Sequence, residues 1–214
     1  MNDNNLIIAV DGFSGTGKSM IASFIAEKYD MYSLDSGLLY CVVTYKLIKE
    51  NILNFDPDRI IAILNELEID KDGTIYLDGH KIDFGFFTGD FVLNNVTYYA
   101  HKAEVREGIN RFIRNYARNK SIVVNGRDIG SVVLPKAQIK ILFWLPGQDT
   151  DGANKCEWLS DNSVKRNRLD YDNIEKPDQL GEDDVLIDAS TESSVVIKDI
   201  VVCKIDNWIK HHVK

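Results

Sequence analysis

The run Gly12-Phe13-Ser14-Gly15-Thr16-Gly17-Lys18-Ser19 fills every fixed position of the pattern G-x-x-x-x-G-K-[ST]. Its flanks make it a constraint on the fold. Before it stands Leu6-Ile7-Ile8-Ala9-Val10, a continuous apolar run of strand length, and residues 20–29 after it are rich in helix formers. A strand that feeds a glycine loop opening a helix is the first unit of a parallel α/β sheet, because parallel strands need a crossover. The glycines let backbone N–H groups close around a polyphosphate, with no Cβ in the way. The helix that follows presents its N-terminal N–H groups and positive dipole end to the same anion. Lys18 stands where it reaches β- and γ-phosphates, and the Ser19 hydroxyl where it ligates Mg²⁺. Residues 12–19 are therefore expected to bind a nucleoside triphosphate.

The rest of the chain alternates in the same way. Tyr32-Ser33-Leu34 reads as a short strand, followed by a helix expected to start at Ser36, with that hydroxyl as N-cap. Asp56-Pro57-Asp58 opens a third helix with Ile60, Ile61, Ile63, Leu64 and Leu67 on its apolar stripe. Then the period changes. Ile69, Ile75, Leu77 and Ile82 lie in short runs separated by Asp72-Gly73 and Asp78-Gly79, both hairpin signals. An antiparallel meander is expected within an insert at about 67–90. Residues 92–118 read as helical, with Val105, Ile109, Phe112, Ile113 and Tyr116 on one face. Ser121-Ile122-Val123-Val124 and Ile139-Lys140-Ile141-Leu142-Phe143-Trp144 read as buried strands, and Val185-Leu186-Ile187 as a last short one. A closing helix over 195–213 is expected to turn Val196, Ile200, Val201, Ile205 and Trp208 inward. The reading is a single α/β domain over 1–214, with helices on both faces of a parallel sheet and a small antiparallel β insert. Residues 146–182, polar and without period, read as a lid.

The chain has 33 acidic against 25 basic residues, a net charge of −8. That balance argues against a nucleic-acid polymer or a membrane surface as partner. An anionic small substrate then needs locally focused cations. Cys41, Cys156 and Cys203 form no metal-ligand or C-x-x-C spacing, which fits a reducing cytoplasm. The polar start at Met1-Asn2-Asp3-Asn4-Asn5 leads to the expectation of no signal peptide or membrane span.

Four further motifs accompany the phosphate loop. They are Asp35-Ser36-Gly37 with Tyr40, Val105-Arg106-Glu107, the block Asn125-Gly126-Arg127-Asp128-Ile129-Gly130-Ser131-Val132-Val133-Leu134-Pro135, and Val185-Leu186-Ile187-Asp188-Ala189-Ser190. In this order and spacing the set resembles the bacterial cytidylate kinase family, over residues 6–205 and including the insert. The resemblance implies phosphoryl transfer from ATP, with Mg²⁺, to CMP or dCMP by a monomer. Such a reaction demands positioning, exclusion of water and positive charge around the transferred group. Lys18, Arg127, Arg166 and Arg168 would supply that charge. Thr97, Arg106 and Asp128 would read the cytosine, whose N4 amine donates and whose N3 and O2 accept. Ser36 and Arg127 would hold the acceptor phosphate, and Asp170 the ribose. Taken alone, Thr97 reads equally as a helix-surface residue, Arg106-Glu107 as a solvated pair, Ser36 as a cap, and Arg166 with Asp170 as a surface ion pair. Asp11 and Asp35 match family carboxylates that either hold Mg²⁺ through water or orient backbone groups.

Four departures from the family's pattern concern phosphate-side charge. Cys41 stands for an acceptor-phosphate arginine, Asn125 for the first aspartate of D-G-R-D, and Asn173 for an arginine near the transferred group. The stretch from Leu145 lacks the family's E-R-x-x-R-R arginines. Lys155, Lys165, Arg166 and Arg168 are the candidates to replace them. Two alternatives to a CMP/dCMP kinase follow: a nucleotide-binding sensor or pseudokinase with weak or no transfer, and a kinase for a different small acceptor.

Overall fold

A computed structural model describes residues 5–87, 90–146, 167, 176–181 and 184–212. Its centre is a five-stranded, wholly parallel sheet in the order β2-β6-β1-β7-β8. The strands are β1 (Ile7–Gly12), β2 (Tyr32–Asp35), β6 (Ile122–Asn125), β7 (Ile139–Trp144) and β8 (Val185–Asp188). The central strands β1, β6 and β7 are mostly apolar because helices cover both faces. Along β6, Ile122 and Val124 pack with Leu39, Val43, Leu64 and Ile109 on one side, while Val123 turns to Ile21, Ile25, Val201 and Ile205 on the other. That is the two-residue alternation of a strand with core on each face.

The first face carries α2 (Ser36–Lys49), α3 (Pro57–Asn65), α4 (Asp90–Ala100) and α5 (Ala103–Tyr116). The second carries α1 (Lys18–Lys28) and α6 (Ser194–His212). Asp56 caps α3, its carboxylate accepting the Asp58 N–H at 3.0 Å. The cap of α2 departs from the expectation. Asp35, not Ser36, is the N-cap and accepts the Gly37 N–H at 2.8 Å. The expected apolar stripe of α6 holds at Val201, Ile205 and Trp208 and fails at Val196 and Ile200. Ile197, Val201 and Ile205 are buried, whereas Val196 and Ile200 are 43% and 38% exposed. A four-residue step from Ile197 stays on the sheet, and the neighbouring positions rotate off it.

The meander is present as β3 (Glu68–Ile69), β4 (Ile75–Leu77) and β5 (His80–Ile82), a separate antiparallel sheet. The Ser33 N–H donates to the Lys71 carbonyl at 2.9 Å, fastening the insert to the edge strand β2. Among the described residues, no helix is long and apolar enough to cross a membrane.

Candidate active site

The carboxyl ends of β1, β2 and β6 open onto one pocket of about 440 Å³. In open α/β sheets this is the edge at which ligands bind. Lys18 and Ser19 reach the pocket from the start of α1, Asp35 and Ser36 from the β2–α2 junction, and Asn125 to Asp128 from the end of β6. Leu93, Val96, Thr97 and Ala100 line it at helical spacing from α4. Arg106 enters from α5.

Gly12 has φ of +135°, and a Cβ there would stand 2.1 Å from the Phe143 carbonyl oxygen, so only glycine lets the loop leave β1 beside β7. The Phe13 ring is buried and meets Trp144 at 5.1 Å between centroids. Its carbonyl accepts from the Thr16 hydroxyl at 2.8 Å and from Lys18 Nζ at 2.5 Å. The ammonium is thus folded back on its own loop. Burial lowers the Lys18 pKa to about 8; Arg127 pushes the same way, and Asp35 and Asp11 oppose it. Lys18 and Arg127 therefore form a cationic pair that an anion would relieve.

Ser19 sits in a polar chain. Its hydroxyl donates to Asp35 Oδ2 at 2.9 Å and accepts from Asn125 Nδ2 at 3.1 Å. This donor set fits Mg²⁺, which takes few protein ligands and completes its shell with water and phosphate oxygens. Among the described residues no cluster of three or more His, Cys, Asp or Glu makes a closed cage. Asp11 plays a different part. It is buried, and its two oxygens accept the N–H groups of Ile129 and Gly130 at 2.8 and 2.7 Å. Of the two roles open from sequence, backbone orientation is the one its contacts serve. Those N–H groups start a single π turn, Ile129–Val133, that no periodicity announced. Arg114 holds the far end of that turn, donating to the Val133 and Val132 carbonyls at 2.9 and 3.0 Å.

At the other end of the pocket, Arg106 Nη2 is hydrogen-bonded to Asp128 Oδ2. Burial pushes the Asp128 carboxyl above its ordinary range, and the Arg106 guanidinium pulls it partly back. Burial likewise pushes the Tyr40 phenol up to about 12, so it stays a neutral donor. A Cβ on Gly126 would lie 2.5 Å from Ser36 Oγ, so this glycine lets β6 pass close to the start of α2. Cys41 is buried and lines the pocket where an arginine was expected from the resemblance.

The structure thus brings Lys18, Ser19, Ser36, Thr97, Arg106, Arg127 and Asp128 to one cavity. Arg166, Arg168, Asp170, Asn173, Lys155, Lys165 and most of the 146–182 segment lie outside the described residues. Asn167, between the two arginines, is described, and no sequence signal pointed to it. Its side chain is buried and clasps one residue of the phosphate loop. Oδ1 accepts the Ser14 N–H at 2.7 Å, and Nδ2 donates to the Ser14 carbonyl at 3.2 Å.

A family model described as cytidylate kinase matches residues 8–207. A protein named cytidylate kinase from Clostridioides difficile is 32% identical over 94% of this chain and 99% of its own. Another so named, from Caldanaerobacter subterraneus subsp. tengcongensis, is 32% identical over 88% of this chain and 90% of its own. Among solved structures, a shikimate kinase from Bacteroides thetaiotaomicron aligns over 96% of this chain and 97% of that one, at TM-score 0.42 and 9% identity.

Proposed function

The chain belongs to the cytidylate kinase family and is a nucleoside monophosphate kinase; on that premise we propose that it carries the γ-phosphoryl group of ATP to CMP or dCMP. One observation carries the choice of groups. A phosphate loop with its lysine and an Arg106–Asp128 pair line the same pocket, and the charge of Arg127 is felt by both Lys18 and Asp128. Two anions can meet there only if cations stand between them.

Residues 12–19 take the triphosphate, and Lys18 leaves the Phe13 carbonyl for its β- and γ-oxygens. Asp128 accepts from the cytosine N4 amine, while Arg106 and Thr97 donate to its acceptor edge. Ser36 and Arg127 hold the acceptor phosphate, Arg127 through the paired N–H bonds a lysine does not offer. An acceptor phosphate oxygen then attacks the γ-phosphorus in line, the bond to the β–γ bridging oxygen breaks, and ADP leaves. Lys18 and Arg127 spread the charge on the three equatorial oxygens. Ser19, with Asp35 behind it, would hold Mg²⁺, which when bound neutralises charge on the β- and γ-oxygens. Arg166 and Arg168 complete the cationic set, and Asp170 takes the ribose. The reading is of one kinase domain, with the insert at about 67–90 serving the acceptor and 146–182 closing over the donor. It works as a monomer in the cytoplasm, in keeping with its scattered cysteines.

A coupled ADP-release assay with ATP, Mg²⁺ and a panel of nucleoside monophosphates tests this. CMP- or dCMP-dependent turnover that disappears in Lys18→Ala supports it. Saturable CMP binding without ADP would make the protein a nucleotide sensor instead. Asp128→Ala should weaken CMP more than ATP, and equal loss of both would overturn the base-pocket assignment.

A further inference from the structure

Residues 83–87 read Asp83-Phe84-Gly85-Phe86-Phe87, three phenylalanines in a turn that joins β5 to α4. Two of them have a structural task. Phe87 is buried, and the Phe86 and Phe87 rings meet Tyr45 of α2 edge-on, at 5.7 and 6.0 Å between centroids, and each other at 5.3 Å. Asp83 closes the turn: its carbonyl and its carboxylate accept the Phe86 N–H at 3.1 and 2.9 Å. The turn is therefore pinned to α2 through Phe86 and Phe87.

Phe84 is 43% exposed, yet it is turned into the cleft rather than away from it. Its Cζ lies 3.6 Å from where a Cβ on Gly37 would stand, so the ring covers the start of α2. It shares the pocket with Leu93, Val96 and Ala100 of α4 and with the Arg106–Asp128 pair. A flat apolar ring held open to water on a fixed turn, beside the apolar side chains of α4 in a cleft that also holds the Arg106–Asp128 pair, suits a ligand with a flat apolar face of its own.

We propose that Phe84 is a specificity-determining wall of the acceptor subsite, its ring packing against the nucleoside of the acceptor. The hydrogen-bonding groups read the edge of the base, and Phe84 reads its thickness and flatness. This rests on the acceptor assignment made above. Base–aromatic packing typically supplies enough to change affinity by about tenfold or more.

The test compares wild type with Phe84→Ala and Phe84→Trp in the ADP-release assay. Phe84→Ala should raise KM for CMP by about tenfold and leave KM for ATP within about twofold, a split that a general loosening of the fold would not produce. Phe84→Trp should retain CMP use and acquire a saturable, CMP-dependent fluorescence change that the native tryptophans do not give. An unchanged KM for CMP in Phe84→Ala, or a silent tryptophan in Phe84→Trp, overturns the role of Phe84 while wild-type turnover leaves the acceptor assignment standing. A wild type that neither binds nor uses CMP overturns the acceptor assignment, and this inference with it.

Discussion

Raising the pH should release ATP from this protein while making the empty protein more stable. The group responsible is Lys18. Burial brings its pKa from an ordinary 10.5 down to about 8, with Arg127 adding to the effect and Asp35 and Asp11 opposing it. A lysine titrating there is about nine-tenths charged near pH 7 and about one-tenth charged near pH 9. Only the ammonium form attracts phosphate, so affinity for ATP falls about tenfold over that interval and about tenfold for each further unit. Stability runs the other way. Between about 8 and 10.5 the unfolded chain keeps the lysine proton that the folded chain has lost. The unfolded state then binds more protons, and the empty protein gains stability as pH rises through that window. The gain from this group is at most about 3 kcal/mol, since water in the pocket also reaches the side chain. Calorimetric titration with ATP at constant Mg²⁺ and ionic strength, with urea unfolding of the empty protein in the same buffers, measures both slopes. Lys18→Met should bind ATP weakly and without the bend. A wild-type affinity that stays flat to about pH 9.5, or bends only near the ordinary lysine value, would refute a buried, reluctant cation as the triphosphate anchor.

Two other contacts give sharp expectations. Asn167→Ala removes both hydrogen bonds to Ser14, so KM for ATP should rise by about 5- to 30-fold, corresponding to roughly 1–2 kcal/mol; an unchanged KM would mean that the clasp does not shape the loop. Asp11→Ala leaves two buried N–H groups unmet and should lower unfolding free energy by roughly 3 kcal/mol or more. Asp11→Asn, with one acceptor oxygen left, should fall between, and a urea midpoint equal to wild type in either variant would contradict the capping role.

Much of the scaffold was written in local patterns. Apolar runs marked β1, β6 and β7 because each is buried on both faces, and that requirement leaves few polar positions, Lys140 of β7 among them, to blur the signal. Asp78-Gly79 marked its hairpin because few other pairs accept the backbone angles, here φ of 52° and 75°. Where two neighbours could do the same job, pattern was silent. Asp35 and Ser36 are both good caps, and the helix start fell to the one whose carboxylate also reaches Ser19. On α6, Val196 and Ile200 were expected inward and Ile197 was passed over because Val196, Ile197, Ile200 and Val201 are all apolar, and only the sheet decides between adjacent pairs. Contacts across the chain left no trace at all. Asn167 and Ser14 are 153 residues apart and Asp11 and Ile129 are 118 apart, so neither pairing has a local signature.

The register between β1 and β6 has a bearing on how such a site can change over time. Val10 lies opposite Asn125, and the Gly126 N–H extends the ladder to the Val10 carbonyl at 2.9 Å. The phosphate loop and the Arg127–Asp128 segment therefore leave the sheet from adjacent strands, at a separation set by backbone hydrogen bonds at about 4.8 Å. The sheet acts as a ruler that no side-chain replacement can rescale. Residues such as Cys41 and Asn125, which stand where the resemblance led one to expect charged groups, can retune charge and contour in the cleft while the gap between the two segments stays what the main chain makes it.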